Sequence, residues 1–173
     1  MFEFEIDLKN YQHGLPITHR DAARGIIRIN NKFLLIYSTV FKDYKFPGGG
    51  VNENESLTDA LIREVLEETG YSVIPETIKK AGIVLEKRHN PNNNSIYHMI
   101  NHYFYCEVKE HQAKQNLDKY EKDRNYVVVY EELENVILNN LDLTASMKNM
   151  DLSPWIVRET KVMEILKEEK WLN

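Results

Sequence analysis

The segment 46–70 constrains the fold of this chain more than any other part. It opens with Phe-Pro-Gly-Gly-Gly, in which proline fixes one backbone torsion and the glycines permit unusual conformations, so a loop is predicted. Ser56 and Gly70 then bracket a stretch with an apolar residue at every fourth position, namely Leu57, Leu61 and Val65. A serine cap, this spacing and a glycine stop predict a helix over about 57 to 69. The glycine loop therefore lies close to the N-terminus of a helix.

Runs of apolar and β-branched residues predict strands on both sides of this segment. Residues 1–10 alternate apolar and charged side chains, which is typical of a half-buried strand, and Asn30-Asn31 separates two apolar runs as a hairpin turn does. The other predicted elements are strands at 81–87, 98–108 and 126–130, a turn at 89–95, a short helix near 131–138 and a closing helix at about 154–170. Strands interleaved with helices predict an α/β sandwich whose sheet is covered on both faces.

Length and composition favour one soluble domain spanning residues 1–173. Hydrophobic residues make up 42% of the chain, and no apolar run approaches the roughly 20 residues that cross a bilayer. We therefore expect a cytoplasmic protein without a membrane partner. A net charge of -5 argues against a stable complex with DNA or RNA. Cys106 is the single cysteine, so it forms no internal disulfide, and we expect it to be buried and inert.

The predicted helix carries a group of carboxylates. Glu64, Glu67 and Glu68 stand at positions i, i+3 and i+4, so their side chains share one helix face. Like charges on one face destabilise a fold unless a cation neutralises them, and oxygen ligands suit Mg²⁺ or Mn²⁺. The alternative is a solvated acidic face. The glycine segment favours the metal site, because free backbone amides beside a helix N-terminus bind phosphate oxygens.

These residues resemble the signature of the Nudix (MutT-like) hydrolases. That signature is Gly, five residues, Glu, seven residues, Arg-Glu, an aliphatic residue, any residue, Glu-Glu, any residue, Gly and a hydrophobic residue. The chain matches it at Gly49, Glu55, Arg63-Glu64-Val65, Glu67-Glu68, Gly70 and Tyr71. Tyr71 takes a position that is more often aliphatic in the family, which affects packing rather than the metal site. The preceding Lys-Phe-Pro-Gly-Gly is also similar to the family.

The resemblance implies an α/β/α sandwich with a mixed central sheet and a divalent-metal site. The implied ligands of Mg²⁺ or Mn²⁺ are Glu64, Glu67, Glu68 and the carbonyl of Gly48. Arg63 is expected to orient the glutamates, and Glu55 has either a ligand role or a structural one. The implied reaction is attack of water on a P-O-P linkage of a nucleoside diphosphate derivative, such as an oxidised nucleoside triphosphate or a nucleotide sugar.

Residues outside the signature have two interpretations each. Glu121 precedes a predicted strand as a comparable glutamate does in MutT-type members, so it is either a general base or an exposed loop charge. Lys45, with Gly48 and Gly49, is placed to contact substrate phosphate, whereas a lysine beside a turn is otherwise simply solvated. Three aromatic residues either stack on a nucleobase or pack in the core: Phe41, Tyr44 and Tyr103. His98 and His102 are not assigned to metal.

Two other functions fit the same fold. A nucleotide-binding or regulatory Nudix module would keep the fold without catalysis, but the intact carboxylates favour an enzyme. An isomerase of isoprenoid diphosphates would need a catalytic cysteine, and Cys106 lies in an apolar pattern instead. The alternating N-terminal strand could also pair across a subunit boundary, which would give a homodimer.

Overall fold

The computed structural model describes residues 1–90, 92–146 and 152–169. Strands within these ranges are β1 (Phe2–Asp7), β2 (Ile17–Ile26), β3 (Arg28–Ile29), β4 (Lys32–Ser38), β5 (Tyr44–Lys45), β6 (Gly48–Gly50), β7 (Tyr71–Val73), β8 (Lys79–Asn90), β9 (Ser95–Tyr105), β10 (Val108–Gln112) and β11 (Tyr126–Glu131). The α-helices are α1 (Leu57–Thr69), α2 (Lys119–Asp123), α3 (Leu133–Ser146) and α4 (Ile156–Glu168).

The central sheet is mixed. Its strand order is β1-β8-β9-β2-β6, in which β1 runs parallel to β8 and β9 runs parallel to β2, while the other neighbours are antiparallel. A second, antiparallel sheet has the order β11-β4-β3, with β5 also paired to β4, and β10 pairs with β7. This arrangement confirms the predicted α/β fold with a mixed sheet.

Helices cover both sides of the sheets. Val65 and Leu61 of α1 pack with Leu34 of β4 in one apolar cluster. The neighbouring residues of β4 point the other way, where Leu35 packs with Met163 of α4 in a second cluster. Because successive side chains of a strand face opposite sides, one strand supplies both cores. The site helix α1 therefore covers one side of the sheets, and α3 and α4 cover the other.

Helix α1 begins and ends where the sequence predicts. The Ser56 hydroxyl accepts a hydrogen bond from the Asp59 amide at 3.1 Å, which satisfies one free donor of the first turn. Gly70 ends the helix in the left-handed conformation, with φ 76°, and its amide donates to the Leu66 carbonyl at 2.8 Å. Gly25 on β2 leaves room for Val65, since a Cβ there would press on that side chain. These contacts fix the register of the acidic helix.

The glycine segment corrects the sequence prediction. Instead of a loop, Gly48–Gly50 forms the edge strand β6, which pairs with residues Ala22 to Arg24 of β2. Gly48 has φ 140°, and a Cβ at this position would overlap the backbone carbonyl of Ala23. Only glycine fits here, so the residues that appeared to break regular structure instead allow two backbones to approach closely.

Other elements differ mainly in length. The predicted short helix near 131–138 is in fact α3, which continues to Ser146, and strands β8 and β9 extend until little remains of the predicted turn 89–95. The predicted closing helix is confirmed as α4, although residue 170 lies outside the described residues. The predicted N-terminal strand is β1, at the edge of the central sheet, and its pairing across a subunit boundary stays a prediction. No described helix is long and apolar enough to span a membrane.

Replacing Gly70 with alanine is expected to destabilise the fold more than the same change at Gly14. Both glycines have positive φ, which costs an alanine about 1 kcal/mol, but a Cβ at Gly70 would also overlap the Ala113 carbonyl, whereas nothing lies within 4 Å at Gly14. In urea unfolding, Gly70→Ala should therefore lower the free energy of unfolding by at least about 1 kcal/mol more than Gly14→Ala does. Equal losses would contradict the packing of this helix end.

Candidate metal centre

Three glutamates bring their carboxylates together at one point. Glu64 and Glu68 project from α1 and Glu121 projects from α2, and one oxygen of each lies within 4.8 Å of the others. Glu68 is 1% exposed and Glu64 is 9% exposed, so water screens the repulsion between their charges only weakly. Within the described residues this is the one group of three such side chains with metal-binding geometry. Its donors are all oxygen, which fits a hard divalent ion.

Glu68 connects the helix to the glycine strand. One of its oxygens accepts a hydrogen bond from the Gly48 amide at 2.7 Å, and the other lies 2.5 Å from the ammonium of Lys45. Lys45 is itself buried and also lies 4.8 Å from the centre of the Tyr126 ring. The alternative of a simply solvated lysine is therefore wrong. Lys45 thus neutralises the Glu68 carboxylate within the acidic cluster.

Arg63 organises the acidic groups around it. Its guanidinium donates to both oxygens of Glu55, at 2.7 and 2.8 Å, and to Glu64 at 2.6 Å. It also donates to the carbonyl of Gly50 at 3.1 Å. The Arg63 bond holds the pKa of Glu55 near 2. Both oxygens of Glu55 are thus occupied by Arg63. Arg63 in turn links helix α1 to strand β6 and is not simply solvated.

Glu64 and Glu67 occupy different surroundings. Burial raises the pKa of Glu64, and the nearby Arg63 opposes that rise. Gly49 passes so close that a Cβ there would overlap the Glu64 carboxylate. The Glu67 side chain is 36% exposed, and its carboxylate lies 3.2 Å from Arg63. Glu67 therefore lies outside the close cluster in this arrangement, and its role as a ligand stays a prediction.

Glu121 occupies the first turn of the short helix α2. It forms a capping box with Asp118, in which each side chain accepts from the other residue's amide at 2.8 Å. The carboxyl group is half-buried, so the interpretation as an exposed loop charge is wrong. Burial, with the Glu68 charge as a second cause, raises the pKa of Glu121 to about 7. A carboxyl group with such a pKa can exchange a proton near neutral pH.

The carbonyl of Gly48 is held from the opposite layer. It accepts from Arg24 at 3.0 Å and lies 3.4 Å from the Lys45 ammonium. Arg24 lies 3.6 Å from Glu159 of α4, and the same Glu159 accepts from the Phe46 amide at 2.9 Å. Helix α4 thus fixes both ends of the turn into β6, although it is more than 100 residues away in sequence.

A cavity of about 340 Å³ opens at the carboxylate cluster. Its lining includes the three glutamates and the glycine strand. It also includes basic and aromatic side chains from several elements, which are Arg20, Arg88, Tyr97, Tyr120, Trp155 and Arg158. The sequence interpretation missed these residues. Arg20 and Arg24 share one face of β2 because they are four residues apart on that strand, but the sequence does not reveal which surface this face lines.

The remaining candidates do not line this cavity. Tyr103 is fully buried in the core and donates to Glu159 at 2.9 Å, so its packing alternative is the observed one. Tyr44 packs against Tyr37, and Phe41 contacts Trp155 edge-on. His98 and His102 bond across to β2, at His19 and Asp21 respectively. A larger cavity of about 970 Å³ includes Cys106 in its lining but none of the three clustered glutamates.

Comparison with known proteins identifies the family. The family described as "NUDIX domain" matches residues 19–151. The chain is 36% identical, over 93 residues, to "ADP-ribose pyrophosphatase" of Methanocaldococcus jannaschii, covering 52% of this chain and 53% of that protein. It is 37% identical over 57 residues to "RNA pyrophosphohydrolase" of Pasteurella multocida, covering 32% of this chain and 28% of that one. The matches thus span about half and about a quarter of these relatives.

Solved structures support the same assignment at the level of the fold. A NUDIX hydrolase from Nitrosomonas europaea superposes with a TM-score of 0.57 at 19% identity, covering 87% of this chain and 90% of that chain. A MutT protein from Methanosarcina mazei Go1 gives 0.56 at 21% identity, covering 92% and 99%. The family match covers most of the chain, and the signature residues converge on one carboxylate cluster. The chain therefore belongs to the NUDIX family.

Proposed function

We propose that this chain is a divalent-metal-dependent pyrophosphohydrolase that cleaves a P-O-P linkage in a nucleoside diphosphate derivative, such as an oxidised nucleoside triphosphate or a nucleotide sugar. The observation that carries the proposal is the close approach of Glu64, Glu68 and Glu121 in a cavity beside the glycine strand. The names of the two relatives, a pyrophosphatase and a pyrophosphohydrolase, support the same reaction class.

The proposed ligands of Mg²⁺ or Mn²⁺ are Glu64, Glu67, Glu68 and the carbonyl of Gly48. Such an ion would lower the pKa of water and neutralise negative charge on the substrate phosphates. Lys45 lies 2.5 Å from Glu68 and 3.4 Å from the Gly48 carbonyl, so its ammonium is placed to contact a substrate phosphate beside the cluster. Glu67 would turn from Arg63 to reach the ion, which its partial exposure permits.

Glu121 is the proposed general base. It faces the other two carboxylates from the short helix α2, and its raised pKa suits proton transfer at neutral pH. Arg63 positions Glu64 through the 2.6 Å hydrogen bond and is not itself proposed to transfer a proton. The backbone of Gly48 and Gly49 would contact the diphosphate, because strand β6 exposes no bulky side chain there.

The isosteric change Glu68→Gln is expected to abolish turnover. Glutamine keeps the shape and the bond to the Gly48 amide but removes the charge that holds the ion, so kcat/KM should fall at least about 100-fold. The assay follows cleavage of nucleoside triphosphates, oxidised dNTPs, ADP-ribose, nucleotide sugars and dinucleoside polyphosphates with Mg²⁺ or Mn²⁺. The exposed Glu53→Gln is the matched control and should keep wild-type activity.

Each result of this assay decides between hypotheses. Wild-type turnover that disappears in Glu68→Gln would support hydrolysis at this cluster and would reveal the substrate class. Turnover that survives the substitution would place the reaction elsewhere. No turnover by the wild type on any compound, together with tight binding of one of them, would support a non-catalytic nucleotide-binding module instead.

The metal-free protein is expected to lose stability as pH rises through the pKa of Glu121. In the folded chain the pKa of Glu121 is about 7, whereas its ordinary value is 4.5. The stability that the protonated carboxyl group contributes is therefore complete below pH 4.5 and lost above pH 7. Because the group is half exposed, solvent screening reduces the effect to about 1 to 2 kcal/mol. Urea unfolding in EDTA at pH 5 and pH 8 measures it.

Glu121→Gln should weaken this pH dependence without disturbing the helix. Glutamine at the same place still completes the capping box with Asp118, so α2 keeps its first turn. Glu110→Gln changes an exposed glutamate and should leave the pH dependence as in the wild type. Identical pH dependence in the wild type and in Glu121→Gln would show that Glu121 is not held among carboxylates.

A further inference from the structure

The arginine and lysine side chains that line the cavity differ in their partners. Arg24 lies near Glu159, Arg88 and Arg158 both bind Glu86, and Lys45 binds Glu68. These charges are thus already balanced by carboxylates. Arg20 also lines the cavity, yet no hydrogen bond or ion pair to it is found among residues 1–90, 92–146 and 152–169. Its guanidinium is exposed and available to a ligand.

Gly50 creates the space in which Arg20 lies. Ala22 of β2 pairs with Gly50 of β6, and Arg20 stands two residues before Ala22, hence on the same face of β2. Its guanidinium crosses over Gly50 so closely that a Cβ there would overlap three of its atoms. The backbone of Gly50 does not adopt the left-handed conformation, so its torsion angles do not require glycine. The absence of a side chain at this position instead makes room for the Arg20 guanidinium.

Strand β6 connects this guanidinium to the metal centre. The carbonyl of Gly50 accepts from Arg63, which in turn binds Glu64. The preceding residue, Gly49, passes directly against the Glu64 carboxylate. Arg20 and Glu64 therefore lie against neighbouring residues of one short edge strand, on its two faces, and both side chains line the same cavity.

We propose that Arg20, placed over Gly50, is the anion-binding group that engages one phosphate of the diphosphate while the other lies at the carboxylate cluster. This inference rests on the proposed function, and it defines the ligand class as an anion with two linked phosphates. A guanidinium suits this role because its donors can bond two phosphate oxygens at once. The contact strengthens binding of the substrate, so its loss raises KM more than it lowers kcat.

The test combines Arg20→Ala, Gly50→Ala and the double variant. The three atoms nearest to a Cβ at position 50 all belong to the flexible end of Arg20, so an alanine there displaces the guanidinium without removing its charge. Each single variant should raise KM for the best substrate of the panel about tenfold, and the double variant should be no worse than Arg20→Ala alone. Arg28→Ala, an exposed arginine of β3 outside this cavity, is the matched control and should change neither constant.

Calorimetric binding of inorganic pyrophosphate with Mg²⁺ separates this inference from the proposed function. If the wild type cleaves nothing but Arg20→Ala weakens pyrophosphate binding about tenfold, the hydrolase proposal fails and the anion site stands. If Arg20→Ala leaves both KM and pyrophosphate affinity unchanged, the site is overturned whatever the activity. If Gly50→Ala still weakens binding when Arg20 is already alanine, the role assigned to Gly50 is overturned.

Discussion

Crowding of negative charge among buried and half-buried glutamates governs the architecture around the site. Two unit charges about 5 Å apart repel by roughly 3 to 4 kcal/mol at the effective dielectric constant of a protein surface, and three carboxylates face one another here. Lys45 and Arg63 offset this repulsion by bonding to Glu68 and Glu64. Burial and the Glu68 charge together raise the pKa of Glu121. Such a cluster is compatible with binding of a divalent cation, whose charge would offset the repulsion.

The glycine strand beside this cluster is held from two directions. Glu68 binds the Gly48 amide from the side of α1, while Arg24 binds the Gly48 carbonyl from the other side. Arg24 depends on Glu159, a fully buried carboxylate whose burial alone would raise its pKa, but the charges of Arg158 and Arg24 lower it. Helix α4 is thus part of the support of the site, although it supplies no proposed metal ligand.

The sequence predicts those features of the structure that depend on residues close to one another in the chain. The cap at Ser56, the stop at Gly70 and the common face of Glu64 and Glu68 all follow from spacings within one helix, and the structure has them as expected. Strand β6 was mistaken for a loop, because a glycine run breaks local propensity and only the partner strand β2 reveals its pairing. The buried partner of Lys45 was missed for the same reason, since it lies 23 residues away in sequence. Glu121 was named only through resemblance; its burial comes from tertiary packing.

The most direct test of this account is a crystal structure of the protein grown with Mn²⁺, with the ion located by its anomalous scattering. We expect a peak between Glu64 and Glu68, roughly 2.0 to 2.3 Å from their oxygens and from the Gly48 carbonyl, with Lys45 displaced from Glu68. A site that stays without manganese, or a peak bound elsewhere while the Lys45–Glu68 pair remains intact, would contradict it.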